Sequence, residues 1–266
     1  MKILLTADLH GVVPWFRWIA DHAHDYDLVC VAGDLLDAFR PSGLAAQALA
    51  LDEWCRNFPV PLALCSGNHD SNNDGFWSAY QGAVSGESVE LLQRLWPAPR
   101  WMDGLARPGL VTDGRTQILY TAKGPVVVTT IPFDATGTGA FKGLWRQGAA
   151  LRLQHRAPWF VLHHDPPAGT AVGGSCGSTP LAWSIRLNRP DFVVSGHLHH
   201  QPYHGDFHAR LGQTWCFNPG CPPATQIRQA TAPNHIIVDL EKGEATWDAA
   251  LEAGTVRILR TVRPNE

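Results

Sequence analysis

Apolar and amphipathic segments alternate over the first 70 residues of this chain. The pattern predicts strands near 2–7, 28–32 and 61–65, with helices near 14–25 and 43–58 between them. The run at 28–32 is apolar on both alternating faces, which a strand needs when helices cover both sides of its sheet. This alternation therefore favours a layered α/β architecture.

The regular pattern weakens at residues 71–115, which are rich in Gly, Ser, Asn and Trp. We expect a loop-rich insertion there with one helix near 87–96. The insertion either shapes access to a site or is a surface excursion. Sequence alone leaves both alternatives open.

Order returns after the insertion. Strands are predicted near 116–120, 125–131, 159–162 and 191–195, and helices near 142–155 and 179–188, with Thr179 as the cap of the second helix. Short strands that look antiparallel are predicted near 214–217, 235–240, 245–248 and 256–259. We predict one domain over residues 1–266, with 214–266 as its β-rich C-terminal part.

Composition sets limits on function. The 266 residues are 45% hydrophobic and 17% charged, which is typical of a soluble globular protein. The formal net charge of -3 supplies no basic field, so long nucleic acid is a disfavoured partner. No stretch reaches the roughly 18 apolar residues that span a bilayer. The six cysteines form no C-x-x-C pair, so we expect reduced thiols, no membrane association and a cytoplasmic location; the oligomeric state stays unknown.

Five clusters of polar side chains close or follow the apolar runs. They are Asp8-Leu9-His10, Gly33-Asp34-Leu35-Leu36-Asp37, Gly67-Asn68-His69-Asp70, His163-His164-Asp165-Pro166-Pro167 and Gly196-His197-Leu198-His199. At strand ends the backbone is stiff and side chains from several strands can converge. Together the clusters predict a hydrolytic site with two metal ions.

The first two clusters supply carboxylates. Asp8 and His10 are two residues apart at a strand end, so a carboxylate and an imidazole can face one metal. A carboxylate such as that of Asp34 can bridge two cations and hold them roughly 3.5 to 4 Å apart. Asp37 is expected to orient a ligand or to cap the following helix, and direct metal binding by Asp37 is the alternative.

The third cluster separates two tasks. The amide oxygen of Asn68 is a neutral ligand for the second metal, whereas the next side chain, His69, points elsewhere. We therefore expect His69 to stabilise phosphate oxygens or to protonate the leaving alcohol. Asp70 is then placed to fix the tautomer of the imidazole.

The last two clusters supply imidazoles. Neighbouring side chains that leave a strand diverge, so only one of His163 and His164 is expected to bind metal. His164 is preferred because it enters the loop, and His163 is the alternate ligand. His197 and His199 are two residues apart and can donate to two adjacent metals. This mixture of oxygen and nitrogen donors suits Mn, Fe or Zn and does not suit structural zinc, which favours cysteine.

The motifs D-x-H, G-D-x-x-D, G-N-H-D, H-x-P-P and G-H-x-H, in this order over residues 1 to about 220, resemble the calcineurin-like metallophosphoesterase superfamily. The match to any one subfamily is weak. The resemblance implies a four-layer sandwich of two mixed β-sheets flanked by helices. It also implies which residues hold the two metals. The first set is Asp8, His10, Asp34 and His199, and the second is Asp34, Asn68, His164 and His197. Asp165 departs from the family pattern, and it either pairs with His163 or lowers the affinity for dianions.

The expected reaction is hydrolysis of a small phosphodiester or phosphomonoester by a hydroxide that bridges the metals. Arg40 either contacts the substrate anion or is a solvated loop residue. One alternative is a metal-poor binding or scaffolding module on the same fold. Another is a single-strand nuclease that stacks bases on exposed Trp77, Trp96 or Trp101.

Overall fold

The computed structural model describes residues 1–38, 43–70, 101–105, 107–133, 139–223, 227, 229–249 and 260–262. The strands in these ranges are β1 (Lys2–Thr6), β2 (Leu28–Ala32), β3 (Leu62–Cys65), β4 (Leu110–Val111), β5 (Arg115–Thr121), β6 (Gly124–Thr130), β7 (Trp159–Leu162), β8 (Phe192–Val194), β9 (His208–Leu211), β10 (Thr214–Phe217), β11 (His235–Asp239), β12 (Glu244–Asp248) and β13 (Arg260–Val262). The helices are α1 (Val13–His22), α2 (Leu44–Asn57), α3 (Gly139–His155), α4 (Thr179–Asn188) and α5 (Gln201–His204), with short 3-10 helices at Ala23–Asp25 and Trp101–Gly104.

The first sheet has seven strands in the order β13-β12-β11-β1-β2-β3-β4. Strands β1 to β4 are parallel, whereas β11, β12 and β13 pair antiparallel to their neighbours. Since the carboxyl ends of parallel strands lie at one edge, the loops after β1, β2 and β3 meet there.

The second sheet has six strands in the order β5-β6-β7-β8-β10-β9. Its four inner strands are parallel, and β5 and β9 run antiparallel at the two edges. The loops after β7 and β8 therefore leave at a common edge, which carries the last two polar clusters.

Helices and sheets form four layers because successive strand residues point to opposite faces. Ile3 and Leu5 of β1 belong to a core between the two sheets, whereas Leu4 packs in a second cluster against α1 and α2. A third cluster packs α3 and α4 on the outer face of the second sheet. The predicted sandwich of two mixed sheets flanked by helices is confirmed.

Several local predictions need correction. The cap of α4 is Ser178, whose side chain accepts a hydrogen bond from the amide of Leu181 (3.2 Å), and Thr179 is already helical. Strand β10 pairs antiparallel with β9, as predicted, but its other neighbour, β8, is parallel to it. Strands β4 and β9 and helix α5 were not expected.

Some expected elements lie outside the described residues, namely the helix at 87–96 and the strand at 256–259. The division of the chain into domains stays a prediction. Within the described ranges, no helix is both long and apolar enough to cross a membrane.

Candidate metal centre

The loops that follow β1, β2 and β8 have an unusual backbone. Asp8, His10, Asp34 and His197 adopt positive φ angles of 57°, 45°, 50° and 64°. Such a conformation costs a residue with a side chain about 1 to 3 kcal/mol and persists only where its surroundings enforce it. Here the amide of Asp8 donates to the carbonyl of Gly33 (3.0 Å), and that of His10 donates to the carbonyl of Asp34 (2.8 Å). The two loops therefore hold each other in shape.

One group of possible ligands combines Asp8, His10, Asp34 and His199, whose donor atoms all lie within 4.8 Å of one another. Nε2 of His199 is 3.1 Å from Oδ1 of Asp8 and 3.2 Å from Nε2 of His10. Oδ2 of Asp34 is 3.8 Å from Nε2 of His10. The structure thus brings together the first predicted ligand set.

A second group lies on the other side of Asp34. Oδ1 of Asn68 is 3.1 Å from Nε2 of His164 and 2.9 Å from Nδ1 of His197. Oδ1 of Asp34 is 3.3 Å from the same Nε2 of His164. The second predicted set is therefore also assembled, and Asp34 belongs to both groups.

Glycine permits the close approach at Asp34. A Cβ atom added to Gly67 would collide with both the backbone and the carboxylate of Asp34. The carboxylate also accepts the amide of His69 at Oδ1 (2.9 Å). Gly67 is therefore required for the position of the shared carboxylate.

The charges in the cluster are opposite and buried. Burial lowers the pKa of His164, but the Asp34 and Asp8 carboxylates outweigh it and raise that pKa to about 10. For Asp8 and Asp34, burial acts in the opposite direction and raises the pKa of each carboxyl. The surrounding histidines outweigh burial and bring both pKa values below the usual range. Positive charge is thus favoured inside this ring of donors.

Three observations fit a divalent cation. Oδ2 of Asp8 is fully buried and has no hydrogen-bond partner among the described residues. The 3.2 Å between the nitrogens of His10 and His199 agrees with the roughly 3.3 Å that separates two nitrogens each about 2.0 to 2.1 Å from one tetrahedral Zn²⁺. The donors are carboxylate, amide and imidazole, which suit Mn, Fe or Zn.

His163 and His164 point to different places. Nδ1 of His164 lies 2.8 Å from the carbonyl oxygen of Ala32, which leaves Nε2 directed at Asn68 and Asp34. Nδ1 of His163 lies 3.3 Å from the carbonyl of Ile131, and its Nε2 is buried without a partner in the described structure. Only His164 is thus brought to the donor cluster.

Comparison with known proteins decides the family. Residues 1–201 match the family model described as calcineurin-like phosphoesterase. The chain belongs to this family. No curated protein matches the sequence. The fold is similar to that of TT1561 from Thermus thermophilus, with a TM-score of 0.53 and 17% identity over 99% of this chain and 98% of that one. It is also similar to the purple acid phosphatase PPD1 from yellow lupin seeds, with a TM-score of 0.51 and 13% identity over 93% of this chain and 51% of that one.

In this phosphoesterase, His69 lies beside the first ligand group, with its ring 4.7 Å from that of His10. The amide of Ala38 donates to Nδ1 of His69 (3.1 Å). Nδ1 is therefore an acceptor, and the proton of the neutral ring is on Nε2. The backbone amide of Ala38 thus fixes the tautomer of His69, a role that was predicted for Asp70.

The Asp70 carboxylate has a different arrangement from the one expected. It accepts hydrogen bonds from the amides of Leu35, Leu36 and Gly67 at 2.9 to 3.0 Å. Burial and the nearby Asp34 raise the pKa of Asp70 to about 7, against the effect of these amides. Asp70 thus ties the loop after β2 to the loop after β3.

Two further expectations concern the loop after β2. Asp37 is half-buried and its amide donates to Oε1 of Gln47 (2.7 Å). The N-cap of α2 is Gly43, so Asp37 does not cap this helix as one of the predictions had it. Arg40 lies outside the described residues, as do Trp77, Trp96 and the side chain of Trp101.

Two residues near the phosphoesterase site, Phe133 and Cys221, were not predicted to contribute. Phe133 packs on His164 and His197, with ring centroids 5.8 and 6.0 Å away. No sequence pattern indicates this contact. Cys221 lies with His10 and His199 in a group whose donor atoms are within 4.8 Å of one another. In the sequence, its position directly after the Asn-Pro-Gly segment at 218–220 is the feature that could have indicated this residue. Asp165, which was predicted to lie close to the site, is 3.7 Å from Nε2 of His197, and its charge also acts to raise the pKa of His163 against the effect of burial.

Proposed function

We propose that this phosphoesterase hydrolyses a small phosphodiester or phosphomonoester with two divalent cations. Asp8, His10, Asp34 and His199 would hold the first cation, and Asp34, Asn68, His164 and His197 the second. One observation carries the proposal: Oδ2 of Asp34 faces His10 and Oδ1 faces His164. A carboxylate with its two oxygens toward two donor groups is suited to join two cations.

When bound, two such cations activate a water and neutralise charge on the phosphoryl oxygens. The protein groups then orient and stabilise the substrate. Since the Ala38 amide holds Nδ1 of His69 as the acceptor, the neutral ring would donate a hydrogen bond from Nε2–H to a phosphoryl oxygen and stabilise its charge. Proton transfer to the leaving alcohol would need a ring protonated on both nitrogens, which this contact disfavours.

The scaffolding alternative requires that ligands be lost, and the described structure contains every predicted donor type in two groups. The nuclease alternative depends on tryptophans whose side chains are outside the described part of the chain. The net charge of -3 favours a small ester over a long polyanion. A cytoplasmic location remains our proposal, supported by six free cysteines.

The decisive experiment combines metal analysis with two substrates. The purified protein is loaded with Mn²⁺, its bound metal is counted, and hydrolysis of bis-p-nitrophenyl phosphate is compared with that of p-nitrophenyl phosphate. We expect about two metal ions per chain and turnover of at least one ester. The preferred ester then assigns the substrate class.

The role of His69 is tested in the same assay. His69→Ala should keep its metal but lower kcat by about 10² to 10³-fold, the usual contribution of one hydrogen-bond donor to a transition state. The control is His155→Ala, because His155 ends α3 and precedes β7 at the opposite end of the strand from the donor cluster. Normal turnover in metal-replete His69→Ala contradicts the role, and metal-replete wild type that cleaves neither ester contradicts the proposed function.

A further inference from the structure

We infer that Asp165 is a positioning residue that orients His197 for the second cation. This inference rests on the proposed function, since His197 is one of the proposed ligands. It concerns how the ligand is held rather than what the site hydrolyses. Metal binding by itself can therefore test it.

The ring of His197 has two distinct sides. Nδ1 faces Oδ1 of Asn68 at 2.9 Å, within the second donor group, and Nε2 faces the Asp165 carboxylate at 3.7 Å. A neutral imidazole carries its proton on only one nitrogen. For Nδ1 to bind a cation, the proton must therefore be on Nε2, where a negatively charged acceptor favours it.

The backbone of Asp165 is fixed in place. Asp165 precedes Pro166, which restricts it to extended conformations. The hydroxyl of Ser195 donates to its carbonyl oxygen (3.3 Å), and the amide of Ser178 donates to the carbonyl of Pro166 (2.7 Å). The backbone of Asp165 is therefore anchored in the loop after β7, next to the loop that carries His197.

His164, the other imidazole of the second group, also has an oxygen atom at the ring nitrogen that faces away from the donors. Nε2 of His164 faces the donors, and its Nδ1 contacts the carbonyl oxygen of Ala32 at 2.8 Å. Each ring thus has an oxygen opposite its proposed metal-binding nitrogen. His197 needs such a partner more, because its side chain is 35% exposed whereas that of His164 is buried. Water at an exposed ring would otherwise compete for Nε2.

The test compares two substitutions by titration with Zn²⁺. Asp165→Ala removes the acceptor, and partners of this kind change metal affinity by about 10 to 100-fold when lost. We expect the second Zn²⁺ to bind about 10 to 100-fold more weakly while the first is unaffected. Asp165→Asn keeps an acceptor oxygen, so it should recover most of the affinity.

Nitrogen-15 NMR of the zinc-loaded protein supplies a second readout. In the wild type and in Asp165→Asn, His197 should show a protonated Nε2 in slow exchange with water, and in Asp165→Ala this proton should exchange fast. Asp248→Ala is the matched control for Asp165→Ala, because Asp248 is also 3.7 Å from a histidine nitrogen, that of His235 on the neighbouring strand.

Unchanged affinity for the second Zn²⁺ in Asp165→Ala, together with an unchanged His197 signal, would overturn the inference. An equal loss of affinity in Asp248→Ala would also overturn it, since the effect would then not be specific to His197. A protein that shows these Zn²⁺ effects but hydrolyses no ester contradicts the proposed function and leaves the role of Asp165 standing.

Discussion

The two sheets contribute different chemistry to the site. The edge of the first sheet supplies all of the oxygen donors, from Asp8, Asp34 and Asn68, together with His10. The edge of the second supplies imidazoles, which are His164, His197 and His199. Each donor group contains residues from both edges. Neither sheet alone can therefore build either group, and the site exists only where the two edges meet.

The two edges also carry opposite charges in the metal-free protein. The first edge carries buried carboxylates whose pKa values stay low because histidines surround them. The second edge carries His164, whose pKa those carboxylates raise to about 10 in spite of its burial. In the metal-free protein the two edges thus attract each other, and a cation would replace the proton of His164.

The largest effect is expected where the two groups join. Asp34→Asn removes a charge that both groups share, so both cations should be lost and turnover should fall by more than the roughly 100-fold seen for partners outside the ligand set. Asp8→Asn should weaken mainly the first cation. Metal content and turnover are measured for both variants, and two retained metals in Asp34→Asn would show that the groups do not depend on that carboxylate.

Neighbouring histidines of the second sheet provide a sharper comparison. His164→Asn should lose the second cation, whereas His163→Asn should keep both, since only His164 reaches the donor cluster. Asparagine can still donate to the Ile131 carbonyl that His163 contacts. Metal counts by mass spectrometry distinguish the variants, and loss of metal in His163→Asn alone would reverse the assignment.

The opposed charges predict proton release on metal binding. With a pKa raised to about 10, His164 is protonated at pH 7 in the metal-free protein and must lose that proton to bind a cation. Calorimetric titration with Zn²⁺ in buffers of different ionisation enthalpy should show about one proton released from this side chain. Affinity should fall as the pH is lowered. Identical heats in every buffer would mean that no proton is released, and would contradict a protonated His164 beside the two carboxylates.

The smallest effect concerns stability and His163. Burial lowers the pKa of His163 to about 4, below the ordinary value of 6.5. The unfolded chain therefore takes up a proton between pH 6.5 and 4 that the native protein does not, and stability falls with the pH over this range. At pH 5 this side chain should cost about 2 kcal/mol relative to pH 7 or above, at 1.36 kcal/mol per pKa unit.

Denaturant unfolding of the metal-free protein at pH 7 and pH 5 measures this cost. The loss of stability between the two pH values should be smaller in His163→Asn, because asparagine does not titrate. An equal loss in wild type and variant would show that other groups dominate the acid response.

Sequence reasoning predicted the features that depend on order along the chain. Apolar strands followed by polar clusters were enough to predict the sandwich and to identify the residues that the structure brings together. Contacts between distant segments could not be read this way. The Ala38 amide that fixes His69, the Leu35 and Leu36 amides at Asp70 and the Asp165–His197 contact all join different loops. Likewise, the parallel pairing of β10 with β8 joins separate segments of the chain, and no local pattern predicts it.

Strand β1 lies in the middle of its sheet, with β2 on one side and β11 on the other. During synthesis, its second side stays an open edge until His235–Asp239 has been made. At about 5 to 20 residues per second, this takes roughly 10 to 50 s for a ribosome. Asp8 and His10, which directly follow β1, therefore wait for every segment up to β11 to be made before their strand is complete. A nascent chain that stalls late exposes this edge and is prone to pair with other chains.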